Sequence, residues 1–278
     1  MDSNWSQRVV SAELATVHPT AIVGPDVLLD EGASIGPYCV IEGRVRIGAG
    51  TRILSHSILG GITYIGANCR IGPHAVVGID PQHMAYKGGE TYLVVGDNVT
   101  VREFATLHRA TKPELENATR VGRGCLIMVG AHVAHDCRLG ENVTLANAVQ
   151  LAGHVTVGDR AFIGGGSVVH QFCRVGRLAM IGGGEALSKD VLPFGAVFRG
   201  GHKGYNAVGC RRANLPPQTT RAIRAAFHEF HTQTSPLKAA INLRQAGPTP
   251  EVLEVIEFIE SSKRGIQKLN DHSEPASD

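Results

Sequence analysis

The sequence predicts a mainly β fold, a left-handed parallel β-helix of hexapeptide repeats, followed by a C-terminal α-helical domain. Three observations predict it. First, from Val121 to Leu187 an aliphatic residue recurs every six positions: Val121, Ile127, Val133, Leu139, Leu145, Leu151, Val157, Ile163, Val169, Val175, Ile181 and Leu187. Second, a small or β-branched residue usually follows four positions later, as at Cys125, Ala131, Cys137, Val143, Ala161 and Ser167. Third, glycines stand where tight corners are needed, as at Gly122, Gly140, Gly158, Gly164 and Gly176. A helix repeats near 3.6 residues and a plain strand near 2, so a strict six fits neither alone. It fits a triangular prism in which each hexad makes one flat side and three hexads make one coil. Each coil then buries its core only against its neighbours.

Composition agrees with a solenoid. The chain has 278 residues, 43% hydrophobic but only 5% aromatic, with 34 glycines. A narrow interior takes Val, Ile and Ala, and corners take Gly. The formal net charge is +2, so no bulk field marks a nucleic-acid partner. No apolar run reaches the ~18–20 residues that span a bilayer, and no membrane span is expected. Met1 to Leu14 carries Asp2 and Glu13 and lacks the apolar block of a secretory signal, which reads as a cytoplasmic protein. Five of the six cysteines, Cys39, Cys69, Cys125, Cys137 and Cys173, fall on the inward slot four residues after the hexad aliphatic. There they read as small buried hydrophobes, and no CxxC argues for zinc. Cys210 lies outside the repeat, and its role stays open.

In chain order, residues 1–16 form an N-terminal extension without assigned structure. The β-helix spans 17–198. Its hexads run in phase from Val17 through Ile35, Ile53 and Ile71 to Val77. The period lapses over 83–94, where Gly88 and Gly89 suit a loop thrown out of a coil. It resumes at Val95, Val101 and Leu107, then lapses again over 112–120 around Pro113. Insertions of this kind build binding surface. Residues 199–278 form the helical domain. Arg199 to Asn214 is Gly-rich and basic. Gln218 to His231 reads as a helix with Ile223, Phe227 and Phe230 on one side. Thr249 reads as an N-cap with Pro250 at the first helical position. Val252, Val255, Ile256, Ile259 and Ile266 give helical spacing to about Leu269. Asp271 to Asp278 reads as a frayed polar tail.

The histidines are informative through their phase. With eighteen residues per coil, Val133, Leu151 and Val169 stack on one side of three successive coils, about 4.8 Å apart. His135 follows Val133 by two, His154 follows Leu151 by three, and His170 and Gln171 follow Val169 by one and two. His132 ends the preceding hexad. Four of the thirteen histidines thus fall on one patch. Two blander readings stay open: plain surface histidines, or a metal site of neutral imidazoles between subunits. No carboxylate or thiolate completes an obvious ligand set, so no metal ligands are assigned.

An imidazole suits removal of a proton from a weakly acidic hydroxyl, since it titrates near neutral pH. The resulting oxygen nucleophile would attack a thioester carbonyl, and the developing oxyanion needs a donor aimed at it. The Ala152-Gly153-His154 turn offers backbone amides for that task. Asp136 follows His135 directly. Strand neighbours point to opposite faces, but at a corner the carboxylate can reach the imidazole and fix its tautomer.

Gly130-Ala131-His132-Val133-Ala134-His135-Asp136-Cys137, Leu151-Ala152-Gly153-His154 and Val169-His170-Gln171-Phe172 resemble the UDP-N-acetylglucosamine O-acyltransferases that begin lipid A synthesis. The resemblance continues through Ile71-Gly72, Pro81-Gln82, Arg102-Glu103 and Leu107-His108-Arg109 into the helical tail, from about Val17 to Leu269. Hexads alone are a weak signal; the three histidine motifs at these spacings are a strong one. The resemblance implies a homotrimer with sites between adjacent prisms. It implies a 3-hydroxyacyl donor on acyl carrier protein, the sugar 3-hydroxyl as acceptor, and no cofactor. His135 matches the general base, Asp136 its orienting partner, and the Gly153 amide the oxyanion donor. His132, His154, His170 and Gln171 match residues contacting the sugar nucleotide and acyl chain. Gly183 matches the position that measures chain length. The basic tail, with Arg211, Arg212, Arg221 and Arg224, offers a face to acidic acyl carrier protein or is simply a solvated helix face.

Three departures stand out. After Gln82 the family places Asp and, two positions later, Lys; here those positions are His83 and Ala85, with Lys87 as a candidate substitute. The family's Asn-x-Glu is here Asn206 and Val208, with Arg212 kept and Ala213 in place of a second Arg. Glu185 takes an inward slot where a small residue is expected, so it needs a partner or an irregular coil. The catalytic patch is intact while the acceptor-binding patch is altered. Acyl transfer to UDP-N-acetylglucosamine is therefore the leading expectation. Its rivals are transfer to another or an amino-sugar nucleotide, a non-catalytic scaffold binding a sugar nucleotide or acyl carrier protein, and a γ-carbonic-anhydrase-like zinc enzyme.

Overall fold

The computed structural model describes residues 15–268. The expectations for residues 1–14, Leu269 and the tail Asp271 to Asp278 fall outside the described residues. Among the described residues the chain is mainly β, a solenoid of short strands with four α-helices. It divides into two compact units, one of residues 1–130 with 134–136, the other of 131–133 with 137–278.

In the first unit most strands are two residues long, and each pairs in parallel with the strand one coil further on. Val17 faces Ile35, Ile35 faces Ile53, and Ile53 faces Ile71, always eighteen positions apart. The next step, Ile71 to Val101, spans thirty positions. The surplus of twelve is the loop between Ile79 and Tyr92. Val95 pairs with Val121, eight positions beyond one coil, and that surplus holds a short 3-10 turn at Leu115–Asn117. The strands Tyr92–Val95 and Thr119–Val121 take up the last residues of the two expected loops. The hexad residues Ile41, Ile47, Ile71, Val77 and Leu107 are fully buried. Each such side chain stabilises the fold by roughly 1.5–3 kcal/mol.

The inward slot four residues later has a second use. Thr51 Oγ1 donates to the Gly66 carbonyl at 2.7 Å, Ser57 Oγ to that of Gly72 at 2.7 Å, and Cys39 Sγ to that of Leu54 at 2.9 Å. Each acceptor lies fifteen residues ahead, at the start of a corner in the next coil. Small polar side chains are thus satisfied in the core by the corner carbonyls they meet. Along one corner Tyr38, His56, His74 and Phe104 all have positive φ. Their rings stack with centroids 5.1, 4.8 and 5.1 Å apart.

The second unit repeats the pattern. Val133, Leu151, Val169 and Leu187 are paired in register on four strands. Cys137 Sγ donates to the Ala152 carbonyl and Ser167 Oγ to that of Gly182, again fifteen residues ahead. An antiparallel hairpin follows, Gly195–Phe198 with Gly201–Tyr205. Glu185 is buried and has found partners: its carboxylate accepts the N–H groups of Arg199 at 2.5 Å and Gly200 at 2.8 Å in the hairpin turn.

The described residues of this unit also hold four α-helices: α1 (Ala207–Arg212), α2 (Pro217–Thr232), α3 (Pro236–Gln245) and α4 (Pro250–Glu260). Ile223, Phe227 and Phe230 of α2 cluster with Val252, Ile256 and Ile259 of α4 and with Leu192 and Phe194. Cys210 is buried in the same cluster, and all six cysteines are free thiols. Two features differ from the expectation. α4 stops at Glu260, and Ile266 instead bridges to Asp190. Thr249 stands at the N-cap of α4, but its hydroxyl makes no hydrogen bond. α3, which the sequence did not announce, starts at a Ser235 cap with Pro236.

Candidate active site

His135 and Asp136 lie where the chain leaves the strand His132–Val133 and turns a corner. Asp136 has φ of 61°, a left-handed conformation that Asp tolerates better than most L-residues. That turn brings its carboxylate back onto its neighbour, which an extended strand would send to the other face. His135 Nδ1 lies 2.7 Å from Asp136 Oδ2, and His135 is only 8% exposed. An ionised carboxylate only accepts, so Nδ1 carries the proton and Nε2 keeps its lone pair. Asp136 is itself held. Its Oδ1 accepts the Thr111 N–H at 3.1 Å, its Oδ2 the Thr111 hydroxyl at 2.8 Å, and its own N–H donates to Thr119 Oγ1 at 2.8 Å. The two threonines stand at the ends of the second excursion, Thr111 holding the Asp136 carboxylate and Thr119 its backbone N–H.

The first loop brings another imidazole to His135. His83 meets His135 edge-on, with ring centroids 5.2 Å apart. His83 Nδ1 accepts the Ala85 N–H at 3.3 Å, which leaves Nε2 as the N–H. At the root of the loop Asp80 is ion-paired with Arg109, which is 8% exposed. The guanidinium lies where a Cβ at Gly61 would stand, so any side chain there would have to displace it, at a positive φ that favours glycine. Gln82 and Lys87 are exposed on the loop surface.

In the second unit Gly153 is buried in the turn after Leu151, and its carbonyl accepts the Phe172 N–H at 3.1 Å. His154 stacks on Phe172 with centroids 4.5 Å apart. His132 and His170 line one groove of about 590 Å³ together with Gln150, Val168 and Ala186. His132, Gln150, Val168 and Ala186 are paired in register, so they form an outward row that runs from polar to apolar. Val168 is 45% exposed in it. Gln171 is exposed beside His170.

The remaining expected residues lie elsewhere in this unit. Gly183 sits in an exposed turn three residues before Ala186, and a Cβ there would stand 3.2 Å from the Gly165 carbonyl oxygen. Asn206 and Arg212 line a larger groove of about 1000 Å³ floored by Phe162, Met180 and Phe198. Both polar atoms of Asn206 are engaged within the chain. Oδ1 accepts the Gly209 N–H and caps α1, and Nδ2 donates to the Leu178 carbonyl, each at 2.8 Å. Val208, beside it, is 46% exposed on the groove wall. Three residues escaped the sequence reading: Thr111 and Thr119 on Asp136, and Arg264, whose Nη2 lies 3.0 Å from His170 Nδ1. Nothing periodic marks any of them; only the fold brings them to their partners.

Parallel coils of hexads with an imidazole–carboxylate pair at a corner are the build of a hexapeptide-repeat protein. Residues 118–153 match the bacterial transferase hexapeptide model, and residues 190–267 the second domain of UDP-N-acetylglucosamine O-acyltransferase. The chain is 49% identical to the acyl-[acyl-carrier-protein]–UDP-N-acetylglucosamine O-acyltransferase of Alkalilimnicola ehrlichii, over 91% of this chain and 99% of the relative. It is 46% identical to that of Burkholderia orbicola over the same shares. The solved UDP-N-acetylglucosamine O-acyltransferase of Moraxella catarrhalis superposes with a TM-score of 0.85 at 36% identity, covering 91% of this chain and 99% of that one. The Francisella novicida enzyme gives 0.87 at 34%, covering 92% and 95%. The chain belongs to the UDP-N-acetylglucosamine O-acyltransferase family.

Proposed function

We propose that this protein moves a 3-hydroxyacyl chain from acyl carrier protein to the 3-hydroxyl of UDP-N-acetylglucosamine, the first step of lipid A biosynthesis. The observation that carries the mechanism is the 2.7 Å contact between His135 Nδ1 and Asp136 Oδ2, with Thr111 gripping the carboxylate from the far side. Asp136 holds the proton on Nδ1, so Nε2 is the base. Nε2 takes the proton from the sugar hydroxyl as its oxygen attacks the thioester carbon. The oxyanion is met by the Gly153 N–H. Collapse breaks the carbon–sulfur bond, and the imidazolium returns its proton to the departing thiolate. No cofactor enters this cycle; acyl carrier protein brings the activated acyl group.

His132, His154, His170 and Gln171 serve the sugar nucleotide and the acyl chain. The row from His132 to Ala186 supports this reading, since an acyl chain presents a polar head and an apolar tail. Gly183 sets how far the chain extends. Gln82, His83 and Lys87 on the first loop, with Asn206 and Arg212, serve the sugar nucleotide. The coil at 17–198 is left-handed, the helical domain at 199–278 closes its C-terminal end, and the working form is a cytoplasmic homotrimer. Among the described residues no helix is long and apolar enough to cross a membrane.

The test is product analysis by mass spectrometry, with purified protein, a mixed acyl-carrier pool, UDP-N-acetylglucosamine and its amino-sugar analogue. A base-labile ester on UDP-N-acetylglucosamine is expected, with a loss of about 10²–10⁴-fold in kcat for His135→Ala. An undiminished rate in that variant, or a base-stable amide as the product, overturns the reading.

A further inference from the structure

Arg264 has no role in the mechanism above, yet it stands at the groove. It belongs to the segment after α4, which is laced to the end of the coil. The Asp190 N–H donates to the Gly265 carbonyl, the Gln267 N–H to that of Asp190, and the His202 N–H to that of Lys268, each at 2.8 Å. Gln267 Nε2 donates to the Gly200 carbonyl and Ser262 Oγ to Asp190 Oδ2, again at 2.8 Å. None of these anchors uses the Arg264 side chain. The segment therefore places Arg264 without needing its guanidinium.

That guanidinium lies beside the Cys173 thiol and makes two contacts through Nη2, 3.0 Å to His170 Nδ1 and 3.1 Å to the Ser188 carbonyl, while its Nε is buried with no hydrogen-bond partner. His170 Nδ1 also lies 3.2 Å from the Gln171 carbonyl. The two contacts at Nδ1 require opposite protonation. A carbonyl oxygen can only accept, so it asks for a proton on Nδ1. A guanidinium can only donate, so it asks for a bare Nδ1. Both cannot be hydrogen bonds at once. The Arg264 contact is the shorter, and it is charge-assisted, so it prevails. The proton of the neutral ring is then on Nε2.

We propose that Arg264 is a positioning residue that holds His170 in its Nε2–H tautomer. The ring then offers a hydrogen-bond donor to an oxygen of the acyl substrate in the groove of His132, Gln150, Val168 and Ala186. Without Arg264, Nδ1–H turns to the Gln171 carbonyl, and Nε2 presents a lone pair that repels the same oxygen. The catalytic consequence rests on the acyl-transfer reading; the tautomer does not.

Long-range ¹H–¹⁵N spectra of the full chain with ¹⁵N-labelled histidine, recorded at alkaline pH, read the tautomer directly. The wild type is expected as Nε2–H and Arg264→Met as Nδ1–H. In Arg264→Met kcat/KM falls by about 10-fold to 100-fold, the size of a lost hydrogen bond to a charged group. Arg264→Lys, which keeps a donor, recovers part of both signals and serves if the Met variant does not fold. His170→Gln supplies an amide N–H with no tautomer to choose, so adding Arg264→Met to it changes kcat/KM less than about 2-fold. An Nδ1–H ring in the wild type, unchanged turnover in Arg264→Met, or an equal loss in the His170→Gln background overturns the proposal. A wild type that acylates no UDP-N-acetylglucosamine overturns the function instead, while the spectra still judge Arg264.

Discussion

Asp136 illustrates what single residues decide here. It needs a left-handed corner to reach back to His135, and Thr111 to hold it there. Asp136→Asn keeps the size but can turn an amide N–H toward Nδ1, which forces the proton onto Nε2 and removes the base. A fall in kcat of about 10²–10⁴-fold, with little change in KM, is expected from steady-state kinetics. Unchanged turnover would refute the orienting role. The pair itself was legible, since His135 and Asp136 are adjacent and the phase places both at a corner. The clamp was not, because Thr111 lies twenty-five residues away beside an excursion without period. Asn206 shows the converse. Resemblance marks it for the substrate, while its amide is occupied as the cap of a helix too short to be read from spacing.

Among elements, the coil strands were legible because a period of six has no other cheap explanation, and every hexad aliphatic from Val17 to Leu187 ends a strand or continues one. The helices were less so. α4 seemed to extend to Leu269 because Ile266 keeps the spacing, but that residue pairs with Asp190 instead. α3 buries only Ala239 and Ala240, so its sequence carries little periodic signal. The hairpin and α2 enclose one group with a pH consequence. His202 is fully buried against Gly195 and Phe227, and its Nε2 accepts the Leu192 N–H. Burial, with a smaller contribution from nearby His231, pushes its pKa from 6.5 down to about 3. Between those values the unfolded chain binds a proton that the folded chain refuses, so stability falls as pH falls. The slope is about 1.4 kcal/mol per pH unit at most. Urea midpoints at pH 7 and pH 5 should differ more for the wild type than for His202→Gln, which has nothing to titrate. Equal differences in the two proteins would remove His202 from the account.

For the whole molecule, stability is a sum over coils, each held by its neighbours. The cysteines report on that sum. All six are buried and free, and burial raises the thiols of Cys39, Cys69, Cys173 and Cys210. A raised, buried thiol is a poor nucleophile. Labelling with a thiol reagent is expected to be negligible in native buffer and to reach six equivalents only as the chain unfolds in denaturant. Rapid native labelling of one equivalent or more would mean the coils open locally. The sequence reading anticipated these thiols as packing, but missed that several also donate to corner carbonyls one coil on, since that geometry exists only once the chain is wound.

The first loop adds twelve residues to one winding and leaves the pairing on either side in step, apart from a bulge between Val77 and Ile79 where the chain departs. Length is therefore a free variable at that exit point, provided the strands rejoin at the same rung. Splicing Ile79 to Tyr92 restores the ordinary spacing, so the shortened chain should keep its circular dichroism, while its melting temperature falls because the nearly buried Arg109 loses its partner Asp80. It would lose His83 and its neighbours, and with them the loop's proposed share in holding the acceptor, while Asn206 and Arg212 stay. Architecture and recognition would come apart at a single cut.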